Sequence, residues 1–110
     1  MAYDEKFADR IRQALGRRKG LVAKQMFGGI AFLLNGNMCV GIHKDELIVR
    51  LDPDATDAAL AKPHTRVFNL TGRPMKGWIL VGPKGIATGP QLKKWIAIAA
   101  AYAGALPPKR

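Results

Sequence analysis

The segment Lys24 to Met38, KQMFGGIAFLLNGNM, constrains the fold more than any other part of this 110-residue chain. It holds a double glycine, Gly28-Gly29, inside one apolar run and closes on Asn35-Gly36. Asn-Gly between apolar runs is the strongest short-range hairpin signal, because a two-residue primed turn needs positive φ at both central positions. The sequence therefore commits its middle to antiparallel strands. It assembles no recognisable catalytic motif around them.

Period-two alternation extends the hairpin on its far side. Met38, Val40 and Ile42 alternate with Cys39 and Gly41, and after a Lys44-Asp45 turn Leu47, Val49 and Leu51 alternate with Ile48 and Arg50. This predicts strands with one buried face each. Four strands are expected in this region: Lys24 to Phe27, Ile30 to Leu34, Met38 to Ile42 and Leu47 to Leu51. Gly28-Gly29 reads as a bulge, or as a place where a helix packs closely on the sheet.

Helical signals flank the strands. Phe7, Ile11, Ala14 and Leu15 make one apolar stripe over about Asp4 to Leu15, with acids at its start and Arg17, Arg18 and Lys19 at its end, as the helix dipole favours. Gly16 or Gly20 stops that helix. Asp52-Pro53 opens a short second helix, which Lys62-Pro63 ends. Two further strands are expected near Thr65 to Leu70 and Gly77 to Val81. Thr88-Gly89-Pro90-Gln91 has capping-box form and begins a last helix faced by Leu92, Trp95, Ile96, Ala99, Tyr102, Ala103 and Leu106. The order α-β-β-β-β-α-β-β-α implies a two-layer α+β domain over 1–110, its helices on one face of a mainly antiparallel sheet. The tail from Pro107 is expected to be loose.

Composition bounds function. The net charge is +10, and all eight acids lie between Asp4 and Asp57, so the 53 residues from Ala58 onward are purely cationic. Such asymmetry suits an acidic or polyanionic partner and equally a solvated basic surface. The single cysteine excludes an internal disulfide, and the first residues are charged without an apolar signal core, so a reducing cytoplasmic setting is expected. The longest apolar run, 12 residues from Trp95 to Leu106, is short of the ~20 that cross a bilayer.

Reactive groups are sparse. Cys39 and His43 on one extended strand share a face about 13 Å apart, too far for a nucleophile and its base. Cys39 is expected to be a small buried hydrophobe. His43, His64 and Cys39 have no metal-ligand spacing. No catalytic residue, cofactor or metal site is predicted. The remaining candidates are cations for a protein partner or for weak, sequence-tolerant contact with DNA: Arg10, Arg17, Arg18, Lys19, Lys24, Arg50, Arg73, Lys76, Lys93 and Lys94. Arg50, opposite in phase to Val49 and Leu51, is expected on the exposed sheet face. Trp78, Trp95 and Tyr102 read as core or half-core anchors.

Several stretches together carry a family likeness: MAYDEKFADRIRQAL, Met26-Phe27-Gly28-Gly29, Phe32-Leu33-Leu34-Asn35-Gly36-Asn37-Met38, Leu47-Ile48-Val49-Arg50, Thr71-Gly72-Arg73-Pro74-Met75-Lys76-Gly77 and the closing Leu106-Pro107-Pro108. In this order they resemble the TfoX/Sxy N-terminal domain along essentially the whole chain. The resemblance implies a two-layer fold of the secretion-chaperone kind and a non-enzymatic bacterial cytoplasmic protein. It further implies a role beside the transcriptional co-activators of natural competence, which work with the cyclic-AMP receptor protein. Longer family members carry a second domain that these residues do not include. The alternative is a chaperone-like or homodimeric protein-binding module unconnected with transcription.

Overall fold

The computed structural model describes residues 4–26, 29–68 and 76–108. Helix α1 runs Glu5–Leu15, capped by the Asp4 carboxylate, which accepts from the backbone N–H of Lys6 at 2.9 Å and of Phe7 at 3.3 Å. Gly16 ends it at φ 64°, a left-handed conformation that glycine adopts without a Cβ penalty. Four strands follow: β1 Leu21–Met26, β2 Gly29–Leu34, β3 Asn37–His43 and β4 Glu46–Arg50. Asn35 and Gly36 have φ of 52° and 84°, the primed geometry expected of their dipeptide.

Asp52 accepts from Asp54 N–H and starts a 3₁₀ turn, Pro53–Ala55, which passes into the short helix α2, Thr56–Leu60. Strands β5, Thr65–Val67, and β6, Trp78–Val81, complete the sheet. Helix α3, Gly89–Ala105, has the full capping box: Thr88 Oγ1 accepts from Gln91 N–H, and Gln91 Oε1 accepts from Thr88 N–H. The six strands are all antiparallel, in the order β1-β2-β3-β4-β6-β5.

Helices α1 and α3 pack on one face of this sheet. The main core there joins Phe7, Ile11 and Leu15 of α1 and Leu92, Trp95, Ile96 and Ala99 of α3 to Phe32, Val40, Ile42, Leu47, Val49, Ile79 and Val81. The opposite face is not simply solvated, as alternation implied. Ile48, Phe68 and Leu80 form a second buried cluster with Met38 and Trp78 packed against it. The central strand β4 is consequently buried on both sides, with Ile48 as inaccessible as Leu47 and Val49.

Strand boundaries move in several places. Strand β1 begins at Leu21, three residues before the expected Lys24, because its pairing with β2 runs from Leu21↔Leu34 to Met26↔Gly29. Strand β5 ends at Val67 rather than Leu70, and Asn69 and Leu70 lie outside the described residues. Gly28 also lies outside them, while Gly29 is a paired strand residue. The described bulge sits elsewhere: Phe32 faces Val40 but Leu33 faces Met38, so Cys39 is the extra residue of β3. Beyond α3, Pro107 is tied down, since buried Asn37 donates its side-chain N–H to the Pro107 carbonyl at 2.9 Å.

Candidate functional site

The bulge decides what Cys39 can do. It turns Cys39 to the helix-covered side beside Val40, where both belong to the main core, while His43 falls on the opposite face, out of phase with core-facing Ile42. The shared face expected from an unbroken strand is lost. Cys39 is fully buried, and burial pushes its thiol from 9.0 up to about 12, outweighing the opposing effect of the Arg18 charge. A neutral, inaccessible thiol is a poor nucleophile and a poor metal ligand. Among the described residues no group of three His, Cys, Asp or Glu side chains is placed to hold a metal ion.

The predicted cations fall into three settings. Arg17, Arg18 and Lys19 are exposed in the turn from α1 to β1, and Lys24 is exposed on β1 itself. Arg18 also donates Nε–H to the Leu15 carbonyl at 2.8 Å, closing the end of α1. This group borders the free edge of the sheet.

A second setting lies between the helices. Arg10 is half-buried and donates to the carbonyl of Ile86 at 2.7 Å, fastening α1 to the turn before α3. It shares a shallow depression of about 340 Å³ with Gln13, Leu92 and Lys93. Lys94 lines a separate one of about 210 Å³ with Lys62, His64 and Trp95. Arg10 therefore has a positioning task that its sequence context does not reveal, and Lys93 and Lys94 remain exposed on α3.

The third setting is near the far end of the sheet. Arg50 is half-buried rather than free on an exposed face. Its guanidinium lies 5.2 Å from the Trp78 ring centre and 5.7 Å from that of Tyr102. Such cation–π contacts contribute about 0.5–1 kcal/mol each at accessible sites. Lys76 is exposed just before β6, and Arg73 lies outside the described residues. The nine described cations thus do not converge on one patch. Among the described residues Arg17, Arg18, Lys19 and Lys24 form the largest of these exposed groups close together in the chain, and Lys93-Lys94 is a smaller exposed pair on α3.

One ion pair escaped the sequence reading. Glu46 on β4 accepts from Arg66 on β5 through both carboxylate oxygens, Oε2 from Nε–H at 2.7 Å and Oε1 from Nη2–H. Arg66 lies opposite Leu80, and Leu80 opposite Ile48, so the pair reaches across β6 on the second face. No local spacing signals it, because the partners are 20 residues apart. The hydrogen bonds from Arg66, ahead of the opposing effect of burial, hold the Glu46 carboxyl below its ordinary value of 4.5. A depressed folded-state value stabilises the fold at pH above the ordinary carboxylate range. That contribution disappears as pH falls through the folded value. With the arginine half in solvent, it is expected to be about 0.2–1 kcal/mol. Thermal denaturation of the wild type and Glu46→Gln should therefore differ at pH 7 and converge as pH falls through the lowered folded value of Glu46, below its ordinary 4.5.

A family model described as the TfoX N-terminal domain matches residues 13–103, from the last turn of α1 to the last turn of α3. The chain belongs to this family. No curated protein and no solved structure matches it at a significant level. The TfoX N-terminal match includes the whole sheet, the α1–β1 cations and both candidate positions on α3. No helix among the described residues of this TfoX N-terminal domain is long and apolar enough to cross a membrane.

Proposed function

We propose that this TfoX N-terminal domain is a non-enzymatic bacterial regulatory module of the cytoplasm. It acts by binding a protein of the transcription machinery and makes weak, sequence-tolerant contact with DNA. The observation that carries this reading is the exposed cationic run Arg17, Arg18, Lys19 and Lys24, set at the edge of the sheet. The stretch from Arg10 to Lys44 contains seven cations and no acid, so no nearby carboxylate in the chain neutralises that run. Family membership supports the regulatory setting. A surface of this kind attracts a polyanion by releasing its counterions, and it reads no base edges.

Two measurements test the proposal. Anisotropy of a labelled DNA duplex should show weak binding at low salt that does not depend on sequence. Replacing Arg17, Arg18 and Lys19 together by Ala should flatten the salt dependence by a slope of up to about 3, roughly one per phosphate contact removed. Affinity capture from a bacterial lysate should enrich RNA polymerase or a factor bound to it, and the triple variant should capture less. Failure to enrich any transcription protein, together with no duplex binding at low salt, overturns the proposal.

A further inference from the structure

The two edges of the sheet differ in how they are finished. Strand β5 is only three residues long, follows Pro63 and the left-handed His64, and is clamped by the Arg66–Glu46 pair. These are the usual devices that blunt an edge. Strand β1 has six residues and no proline, and among the described residues it pairs on one side only. Val22, Ala23, Lys24 and Gln25 are all exposed, so both faces of the strand are open as well as its edge. Val22, at 52%, is the exposed large hydrophobic side chain of the described residues.

Register tells which backbone groups point outward. The Asn35 N–H donates to the Gly20 carbonyl, and bonded pairs then alternate along the ladder through Val22/Leu33 and Lys24/Ala31. Ala23 and Gln25 lie between those pairs and direct N–H and C=O away from β2. Among the described residues no backbone group bonds to either of them on that side.

We infer that the outer edge of β1 is a docking site for an extended acidic polypeptide segment, which pairs with it as a seventh strand. The inference deepens the proposed protein-binding role and rests on it. Main-chain pairing supplies the affinity of such a complex, and alternate side chains supply the selectivity. On one face the incoming strand meets Val22 and Lys24, with Lys19 adjoining at the start of the edge. An apolar residue fits beside Val22 and an acidic residue beside Lys24. A second copy of this chain is disfavoured as the occupant, because two-fold pairing brings two sets of Arg17, Arg18, Lys19 and Lys24 to one seam.

The probe is a labelled, end-blocked peptide, Thr-Glu-Thr-Val-Thr-Glu-Thr, whose symmetry suits either strand direction. Its affinity should fall at least ten-fold for the Ala23→Pro protein. Proline there removes one outward N–H and leaves the ladder to β2 intact, a substitution that edge strands accept. Lys24→Glu should weaken binding by a similar factor, and Lys in place of Glu in the peptide should abolish it. N-methylation of alternate peptide residues tests pairing without altering the protein. One parity of methylation should abolish binding and the other should leave it within two-fold. Equal effects of both parities, or unchanged affinity with Ala23→Pro, overturn the inference. So does a concentration-dependent dimer in sedimentation that Ala23→Pro dissolves, since the edge then holds a second copy. Absence of peptide binding alongside intact duplex binding refutes the docking site and leaves the DNA contact of the proposed function standing.

Discussion

Phe32→Ala is expected to destabilise the domain by about 3–5 kcal/mol, the range for removing a buried aromatic ring without refilling its space. Phe32 is 1% exposed and sits on β2 between Ala23 of β1 and Val40 of β3. Its ring faces the helices, with the Arg12 guanidinium 5.6 Å from its centre. Small domains have a net stability of about 5–15 kcal/mol, so this one change removes a large share of it. In a thermal melt the midpoint should drop by on the order of 15 °C or more. Val22→Ala, on the neighbouring strand but exposed, should stay within about 0.5 kcal/mol. The contrast matters for function because, among the described residues, β2 is the one strand that holds β1 in the sheet. A loosened β2 should therefore expose the β1 amides to hydrogen exchange first. A loss below about 1 kcal/mol for Phe32→Ala would show that the helices do not depend on this contact.

Most of the architecture was readable because local chemistry and tertiary demand agree. Asn35-Gly36 needs positive φ and has it, Thr88 and Gln91 cap each other as their spacing implies, and Asp52-Pro53 starts a helical turn. Departures occur where a long-range partner overrides the local pattern. Leu21-Val22-Ala23 has no alternation, so nothing local marks it as extended, yet pairing with Leu34, Leu33 and Phe32 makes it strand. The Cys39 bulge is silent in a residue list and changes which face every earlier residue of β3 addresses.

The same limit applied to the site. Charge is visible in sequence, but commitment is not. Arg10 and Arg17 are both arginines at one end or side of the same helix. Arg10 is spent on the Ile86 carbonyl 76 residues away, whereas Arg17 stays in solvent. Arg50 alternates out of phase with the core as expected, yet Trp78 opposite and Tyr102 on α3 turn that position into a half-buried one. The open edge of β1 depends on strand order, which no local spacing encodes. Helix α3 lies over β2, β3 and β4, and of β1 it is Leu21 that packs against the core beneath the helices, so Val22 to Gln25 stay exposed.

Thr56→Val is the second substitution expected to have a large effect, at about 1–3 kcal/mol. Thr56 is 3% exposed at the start of α2, where its hydroxyl oxygen accepts from Gly77 N–H at 2.8 Å and its proton is directed to the Asp52 carbonyl at 3.4 Å. Valine matches the shape and removes the acceptor, which leaves the buried Gly77 amide without its partner. Shape conservation makes the loss attributable to that amide rather than to a cavity. Thr56→Ser keeps the hydroxyl and should recover most of the stability, about 1 kcal/mol or more above Thr56→Val. The Gly77 carbonyl in turn accepts from Leu51 N–H at 2.9 Å, so this residue connects the end of β4 to the start of β6. Releasing it should increase exchange at the Leu51 and Trp78 amides and relax the placement of Trp78 beside Arg50. Tryptophan emission should therefore shift in Thr56→Val and not in Thr56→Ser. Equal stability of the two variants would mean that the Gly77 amide finds another acceptor, and that α2 is held by its apolar contacts alone.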